Sequence, residues 1–210
     1  MKIGVLGSGM VGQTLAKGLQ GLGHEVRIAS REGTKLAAFS EQTGIREGRF
    51  GDVAAFAEVV VLAVKGDVAE ALVKELAPAL AGKALLDTCN PISGAPEGGM
   101  LPYFTAANES LIERLQKAAP DAKVVKWFNS VGAGLMVKPN VQGGPPSMFI
   151  CGDDAAAKAT AAALAKELGW NVEDAGPARL GHAVEALCQL WCAYGFLRND
   201  WAHAFAMLRP

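Results

Sequence analysis

Residues 2–12 read KIGVLGSGMVG, a short apolar run that leads into a GxGxxG pattern. The apolar run predicts a β-strand over Lys2–Leu6, and the apolar spacing that follows predicts a helix over Met10–Leu22. A glycine-rich turn between a strand and a helix is the context in which GxGxxG indicates dinucleotide binding. We therefore expect a nucleotide-binding turn at this place in the chain.

Each glycine of this pattern serves a separate purpose. Gly7 permits the tight turn, Gly9 lets the backbone approach a pyrophosphate, and Gly12 lets the helix pack closely on the strand. Because the helix begins directly after Gly9, its unpaired N–H groups and the positive end of its dipole are available to an anion. A glycine-rich turn that binds no ligand is the alternative interpretation.

The end of the second predicted strand, His24–Ser30, indicates which dinucleotide is bound. An NAD enzyme usually places Asp or Glu about 20 residues beyond the glycines, where it binds the ribose 2′-hydroxyl. In this chain Ser30 and Arg31 stand there instead. A guanidinium binds a phosphate bidentately, a hydroxyl can donate a further hydrogen bond, and Lys35 adds positive charge nearby. This combination predicts NADP; an ordinary surface arginine beside a helix-capping serine is the alternative.

Strand and helix patterns alternate along the rest of the chain. Further strands are predicted at residues 58–64, 84–88, 123–129, 147–151 and 170–173, and further helices at residues 34–43, 67–80, 108–118 and 153–168. This alternation predicts an α/β fold of the Rossmann type, with a doubly wound and mostly parallel sheet. We assign residues 1–177 to an NADP-binding Rossmann domain and residues 178–210 to a small helical C-terminal part.

The C-terminal part is predicted to be mostly helical over residues 179–208. Its segment Ala183–Phe196 is apolar nearly all round, which indicates a buried helix. That helix either packs on the sheet or forms a homodimer interface. The large apolar side chains that we expect it to bury are Leu187, Leu190, Trp191 and Phe196.

The composition excludes several classes of protein. The 210 residues carry a net charge of −1 and are 50% hydrophobic, which excludes a highly charged disordered chain and a strongly basic nucleic-acid binder. No apolar run reaches the length of about 18 residues that a membrane span needs, and residues 1–9 are not typical of a signal peptide. The 4 cysteines form no CxxC pair and the 3 histidines have no metal-ligand spacing. We therefore expect reduced thiols, no metal site and a cytoplasmic protein.

Candidate residues for the reactive end of the dinucleotide follow the later strands, because ligands of such sheets bind beyond the carboxyl ends of the strands. Val64 is a candidate contact to ribose or nicotinamide, and Asn90 to a carboxamide or ribose. Asn129 ends another strand on the same side and is a candidate contact to nicotinamide or substrate. Cys89 is interpreted as a buried thiol rather than a nucleophile, and His182 as a structural residue rather than a general acid. No residue is assigned a catalytic role.

Several short motifs together resemble the deazaflavin (coenzyme F420)-dependent NADP oxidoreductase family. They are GSGMVG at 7–12, SR at 30–31, FNS at 128–130, CGDD at 151–154 and DAGP at 174–177. The resemblance covers essentially the whole chain and its order of elements. The residues for which it implies NADP binding are Gly7, Ser8, Gly9, Met10, Val11, Ser30, Arg31 and Lys35. It also implies a second redox cofactor, a flavin or deazaflavin, that lies over the nicotinamide in a cleft roofed by the C-terminal part.

The sequence therefore predicts an NADPH-binding oxidoreductase that transfers hydride between NADP(H) and a flavin-like, deazaflavin or other small organic acceptor. If the protein only has to position two rings and exclude water, no acid–base residue is required. Two alternatives stay open: a small imine or keto-acid reductase, and a non-catalytic NADPH-sensing module. The expected partners are a small-molecule acceptor and a second copy of the chain, with neither nucleic acid nor membrane.

Overall fold

The computed structural model describes residues 1–210 and contains eight strands and eight α-helices. The strands are β1 (Lys2–Leu6), β2 (Glu25–Ser30), β3 (Arg46–Arg49), β4 (Val59–Leu62), β5 (Ala84–Asp87), β6 (Lys123–Lys126), β7 (Ser147–Gly152) and β8 (Asn171–Asp174). The helices are α1 (Met10–Gly21), α2 (Ala37–Thr43), α3 (Phe50–Phe56), α4 (Gly66–Glu75), α5 (Ala77–Leu80), α6 (Leu111–Ala118), α7 (Ala155–Glu167) and α8 (Gly181–Arg198). The single helix predicted at residues 67–80 divides into α4 and α5.

The eight strands form one sheet in the order β3-β2-β1-β4-β5-β6-β7-β8. Strands β1 to β6 are parallel, β7 is antiparallel to β6, and β8 is parallel to β7. The central strand β4 is buried along its whole length, as expected when helices cover both faces of a parallel sheet. This arrangement confirms the predicted α/β fold with a doubly wound, mostly parallel sheet.

Apolar side chains on the two faces of the sheet form two separate core layers. One layer includes Leu15 of α1, Phe39 of α2 and Leu164 of α7. The other includes Val53 of α3 and Leu115 of α6. Each large apolar side chain that is fully buried contributes about 1.5–3 kcal/mol. Because helices cover both faces, the carboxyl edge of the parallel strands is the part of the sheet left for a ligand.

The segment of residues 46–56 forms β3 and α3, which the sequence pattern does not predict. Strand β3 reads REGR and has no apolar alternation. It forms by pairing in parallel with β2, with Ile28 opposite Glu47 and Ser30 opposite Arg49. Its conformation therefore depends on a neighbouring strand rather than on the propensity of its own residues.

The C-terminal part is helical only as far as Arg198, where α8 ends and Asn199 adopts a left-handed conformation with φ of 48°. The prediction of helix up to residue 208 is therefore wrong for residues 199–208. Helix α8 packs against α6 and β7. No helix, α8 included, combines the length and the apolar character needed to cross a bilayer.

The tail after α8 packs on the rest of the chain through aromatic rings and backbone hydrogen bonds. The ring of Trp201 lies 5.4 Å from that of Trp191, and the His203 ring stacks on Trp191 at 4.9 Å. Further along, the carbonyl of Phe205 accepts the N–H of Ser147, the first residue of β7. These tertiary contacts hold the tail in a non-helical path.

Helix α8 buries only part of its apolar surface within this chain. Trp191 is buried over Gly132, where a Cβ atom would lie only 3.0 Å from the indole ring. Leu190 and Phe196, by contrast, are 59% and 40% exposed in the single chain, so their predicted burial needs a second copy of the chain and stays a prediction. The cause is geometric, because Trp191 packs on Gly132 and on the tail residues Trp201 and His203, whereas Leu190 points to solvent. The domain boundary at residue 177 and the homodimer stay predictions.

Candidate active site

The glycine-rich turn after β1 leaves open space only at its middle glycine. Gly7 has φ of 140°, and a Cβ atom there would lie 2.0 Å from the carbonyl oxygen of Ala63. A Cβ atom on Gly12 would lie 2.2 Å from the carbonyl oxygen of Gly7. At Gly9 a Cβ atom would meet nothing within 4 Å. The chain itself therefore requires the first and third glycines, while the second faces unfilled space, as a pyrophosphate would require.

The start of α1 is free to receive an anion. Gly9 is its N-cap and provides no side-chain cap, and the first turn contains no acidic residue. The N–H groups of such a first turn have no partner inside the helix. Around the turn, the carbonyl of Ser8 accepts a hydrogen bond from Gln13, Met10 is 75% exposed, and Val11 packs partly on the core.

The loop after β2 presents two unpaired cations. Arg31 and Lys35 are exposed and form neither an ion pair nor a side-chain hydrogen bond. Glu32, between them, is likewise exposed and unpaired. Arg49, at the end of β3, adds a third unpaired cation directly opposite Ser30. Arg49 was missed by the sequence analysis because β3 itself was not predicted.

Ser30 is placed at the predicted phosphate site, but its hydroxyl has another partner. The side chain is 1% exposed, and its Oγ donates to Oε1 of Glu47 at 2.5 Å. The same oxygen accepts the N–H of Gly33 at 3.0 Å. The only hydroxyl proton is thus already donated within the chain, and the contact of Ser30 with a phosphate stays a prediction.

Two asparagines connect the carboxyl ends of β5 and β6. Nδ2 of Asn90 donates to the carbonyl of Asn129 at 2.8 Å, and Nδ2 of Asn129 donates to Oδ1 of Asn90 at 3.2 Å. Nδ2 of Asn129 also donates to the carbonyl of Val184 in α8 at 2.9 Å. Val64 lies two residues after β4, and its carbonyl accepts a hydrogen bond at 3.2 Å from the thiol of Cys89, the residue before Asn90. Three predicted contacts of the nicotinamide end are therefore brought together.

The asparagine pair leaves one buried acceptor without a partner. Asn129 is 3% exposed, and its Oδ1 has no hydrogen-bond partner. The amide orientation is fixed by chemistry, because Nδ2 faces two oxygen acceptors. The preceding residue, Phe128, is buried with φ of 44°, an unfavourable conformation for a bulky residue. Such strain often accompanies functional positions.

Beneath the asparagines lies a buried ionic cluster of Asp87, Lys126 and Glu185, which the sequence analysis missed. All three side chains are at most 1% exposed, and Lys126 Nζ contacts Asp87 and lies 2.7 Å from Oε1 of Glu185. The Glu185 carboxylate also accepts the N–H groups of Leu111 and Ile112, which begin α6. The one signal in the sequence was Glu185 itself, because a carboxylate inside an apolar helix must be paired.

Lys126 keeps its positive charge at neutral pH. Burial lowers the pKa of Lys126, but Asp87 and Glu185 outweigh burial and raise it above the ordinary lysine value. The positive end of the α6 dipole faces the Glu185 carboxylate, which accepts the first N–H groups of that helix. None of these three groups is therefore free to act as an acid or base toward a ligand.

The remaining titratable candidates behave as structural residues. Burial raises the pKa of the Cys89 thiol, so it stays protonated, as the sequence analysis expected. Nδ1 of His182 lies 3.2 Å from the carbonyl of Arg179 in its own turn of chain. No group of three His, Cys, Asp or Glu side chains is placed to hold a metal ion.

A strap formed by residues 91–105 covers one side of this site. Tyr103 donates its hydroxyl to the carbonyl of Glu185 at 2.9 Å, and Gln189 donates to the carbonyl of Leu101 at 2.9 Å. The strap is therefore tied to α8. Two other surface depressions, one lined by Lys117 and Arg179 among others and one around residues 14–22, contain none of the predicted site residues.

Comparison with known proteins places these features in a family. Residues 2–91 match the family model described as NADP oxidoreductase, coenzyme F420-dependent. A crystal structure from Arthrobacter sp. FB24, proposed to be an F420-dependent NADP reductase, is 37% identical, with a TM-score of 0.92 and 100% of both chains covered. The match covers the whole chain, from β1 through α8 and the tail.

Two curated proteins are also similar in sequence. The metalloreductase STEAP3 of Rattus norvegicus is 32% identical over 187 residues, which are 89% of this chain and 36% of that protein. The F420-dependent NADP reductase of Methanothermobacter marburgensis is 28% identical over 149 residues, covering 65% of this chain and 66% of that enzyme. The chain thus spans about a third and about two thirds of the lengths of these relatives.

Proposed function

Because the chain belongs to the coenzyme F420-dependent NADP oxidoreductase family, we propose that it binds NADP(H) along the carboxyl edge of its sheet and exchanges hydride with a flavin-like or deazaflavin ring. By family it is an NADP-dependent oxidoreductase. The observation that carries the proposal is the pair of unpaired cations, Arg31 and Lys35, beside a glycine turn whose middle glycine faces open space.

The phosphates of NADP fit the first half of the site. The pyrophosphate would lie over Gly9 at the start of α1, where Ser8, Met10 and Val11 complete the turn and N–H groups are unpaired. The 2′-phosphate on the adenosine ribose, called the adenosine phosphate below, would lie at Arg31 and Lys35, since unpaired guanidinium and ammonium groups favour a dianion.

The nicotinamide end fits the asparagine pair. The unpaired Oδ1 of Asn129 is an acceptor, and the second N–H of Asn90 Nδ2 is a donor. A primary carboxamide offers one donor and one acceptor in return. We propose that this complementarity, together with Val64, orients the nicotinamide ring.

The side chains of this protein position the two reacting rings and transfer no proton. When bound, nicotinamide supplies or receives the hydride, and a second ring stacked above it is the other partner. The buried ion pairs of Lys126 with Asp87 and Glu185 lie beneath the asparagine pair, and they fix the ends of β5 and β6 in place. Any proton that accompanies the hydride would come from solvent. Holding two rings in register is by itself a large part of such catalysis.

The acceptor is tested by NADPH oxidation with a panel of compounds. The panel contains coenzyme F420, FMN, a cyclic imine, a keto acid and, because of the STEAP3 likeness, a ferric chelate. We expect turnover with a deazaflavin or flavin and none with the imine or the keto acid. Turnover only with the imine or keto acid would replace this proposal with a small-substrate reductase, and NADPH binding without any turnover would indicate a sensing module.

The nicotinamide contact is tested at Asn129. Asn129→Leu should reduce turnover by about a hundredfold, because ring orientation is lost, while NADPH affinity, which comes mainly from the phosphates, should fall less than about tenfold. An NADPH analogue with acetyl in place of the carboxamide provides the control. The wild type should discriminate against this analogue and the variant should not. Equal loss of binding and turnover would contradict this placement of nicotinamide.

We also propose a homodimer in a reducing compartment such as the cytoplasm. All four cysteines are free thiols, which favours such a compartment. The apolar face of α8 offers a surface for a second copy, with Leu190, Tyr194 and Leu197 exposed at helical spacing.

A further inference from the structure

The carboxylate of Glu47 joins the two ends of the loop that carries the unpaired cations. Oε1 accepts the hydroxyl of Ser30, the last residue of β2, and Oε2 accepts the N–H of Leu36, at the start of α2, at 2.8 Å. In between, the N–H of Gly33 donates to the Ser30 hydroxyl. Three hydrogen bonds that converge on two side chains thus define the path of residues 30–36.

The strand pairing explains how Glu47 reaches this position. Glu47 lies opposite Ile28 in the parallel pair of β2 and β3, and Ser30 follows two residues later on the same face. The carboxylate therefore extends along the sheet toward the carboxyl edge. This contact is also the reason why a strand as polar as REGR has a fixed place in the fold.

The charge of Glu47 alone would work against a phosphate. A carboxylate beside the expected dianion repels it, so simple electrostatics predicts that removing Glu47 tightens NADPH binding. The hydrogen bonds predict the opposite, because without them Arg31 and Lys35 stand on a free loop. Ordering that loop on binding costs backbone entropy, which lowers the affinity for NADPH. Removing Glu47 should therefore tighten NADPH binding if its charge dominates and weaken NADPH binding if its hydrogen bonds dominate.

We infer that Glu47 is a positioning residue that holds the loop of residues 30–36, so that Arg31 and Lys35 face the adenosine phosphate, and that it thereby sets the preference for NADPH over NADH. The inference rests on the proposed function, since it assumes that this loop binds the phosphate. It assigns Ser30 a role in bridging Glu47 and Gly33 rather than in touching the phosphate.

The test compares two glutamates of equal charge. Glu47→Ala should weaken NADPH binding by about tenfold, through loss of two hydrogen bonds, and should change NADH affinity by less than about twofold. Glu32→Ala removes the same charge from an exposed residue without contacts, and it should tighten NADPH binding by about twofold. The opposite signs distinguish positioning from charge. Nicotinamide fluorescence gives the four dissociation constants, for NADPH and NADH with each of the two variants.

Ser30→Ala provides a second, milder variant. It removes the bridge to Gly33 and one bond to Glu47, so it should weaken NADPH binding by about threefold to fivefold without affecting NADH. In the double variant with Glu47→Ala the losses should not add, because both act through one loop. Urea unfolding midpoints test whether each variant is folded at the temperature of the titration. If Glu47→Ala is unfolded there, the NADPH and NADH affinities of Ser30→Ala test the inference instead.

The outcomes separate this inference from the proposed function. A wild type that binds NADPH and NADH equally would overturn the phosphate site and the inference with it. A wild type that prefers NADPH, with Glu47→Ala binding NADPH as tightly as before or more tightly, would overturn the inference alone. Equal weakening of both cofactors in Glu47→Ala would also overturn it, because the effect would then be a general structural one.

Discussion

The two ends of the candidate cleft use charge in opposite ways. At the adenosine end, Arg31 and Lys35 are exposed and unpaired on a loop. At the nicotinamide end, Lys126 is completely buried and paired with two carboxylates. A free charge can recognise a ligand, whereas a buried and paired one can only hold the protein in shape.

Because of this difference, one end of the proposed site determines cofactor affinity and the other determines the geometry of the reacting rings. The adenosine end is suited to select the cofactor, and its side chains can change without disturbing the core. The nicotinamide end is suited to keep the ends of β5, β6 and α8 at fixed distances, as hydride transfer between rings requires. We therefore expect substitutions at the first end to change binding constants and substitutions at the second to change stability.

The largest effect is expected at the ionic cluster. Lys126→Met leaves Asp87 and Glu185 buried without a cation, which should lower the free energy of unfolding by about 3–5 kcal/mol in urea titrations. Arg209→Met is the matched control, because it breaks an exposed pair with Glu173 and should cost at most about 1 kcal/mol. Similar losses in the two variants would contradict the contrast between the ends.

The same cluster predicts a pH dependence. Pairing raises the pKa of Lys126 in the folded protein above its unfolded value. Its contribution to stability is therefore complete below the ordinary lysine pKa and is lost as pH rises through the raised value. Unfolding free energies of wild type and Lys126→Met, compared from neutral to strongly alkaline pH, should converge at the alkaline end.

The next effect concerns cofactor choice at Arg31. We expect the wild type to prefer NADPH over NADH by a factor of about ten to several hundred, because charge-assisted hydrogen bonds contribute about 1.5–3 kcal/mol each before solvent screening. Arg31→Ala should lose most of this preference with NADH affinity and stability nearly unchanged. Added salt should weaken NADPH binding more than NADH binding. A preference that survives Arg31→Ala would move the phosphate contact to Lys35 or Arg49.

Two glycines of the turn sharpen the comparison further. Gly12→Ala places a Cβ atom 2.2 Å from the carbonyl of Gly7, so it should cost about 1–3 kcal/mol of stability. Gly9→Ala meets nothing in the protein and should leave the unfolding free energy unchanged or slightly higher. It should nevertheless weaken NADPH and NADH binding alike. Destabilisation by Gly9→Ala would show that the space over this residue is filled by the chain.

The smallest effect on stability is expected on the exposed face of α8. Leu190→Glu should change the unfolding free energy of the single chain by less than about 0.5 kcal/mol, because Leu190 is 59% exposed. In sedimentation velocity the wild type should run as a dimer and this variant as a monomer. Leu208→Glu, in the exposed tail, is the control and should not change the assembly. A monomeric wild type would contradict the homodimer.

The parts of the fold that the sequence predicted are those whose signal is local. The apolar run of β1 and the glycines after it are neighbours in the chain, so pattern and structure agree there. The strand and helix patterns that alternate along the chain are local in the same sense. The tail after Arg198 was mispredicted because its conformation depends on Trp191 and Ser147, which lie elsewhere in the sequence.

The candidate site likewise contains residues with a local sequence signal and residues whose position depends on distant parts of the chain. The glycine turn, Arg31 and the asparagines could be named from the sequence because each lies at or just beyond the end of a predicted strand. The cluster around Lys126 could not, because its partners lie 39 residues before it and 59 residues after it, at Asp87 and Glu185. Glu47 was hidden for a further reason, since the strand that carries it has no apolar pattern.

The hydrogen bonds from the start of α6 to Glu185 have a consequence for the timescale of local opening. The N–H groups of a first helical turn normally exchange quickly with solvent, because no carbonyl of the helix accepts them. Here the N–H groups of Leu111 and Ile112 donate to a buried carboxylate of α8 at 2.9 and 3.1 Å. Their hydrogen exchange therefore requires α6 and α8 to separate. Two amides at a helix start thus act as reporters of how often α8 separates from α6.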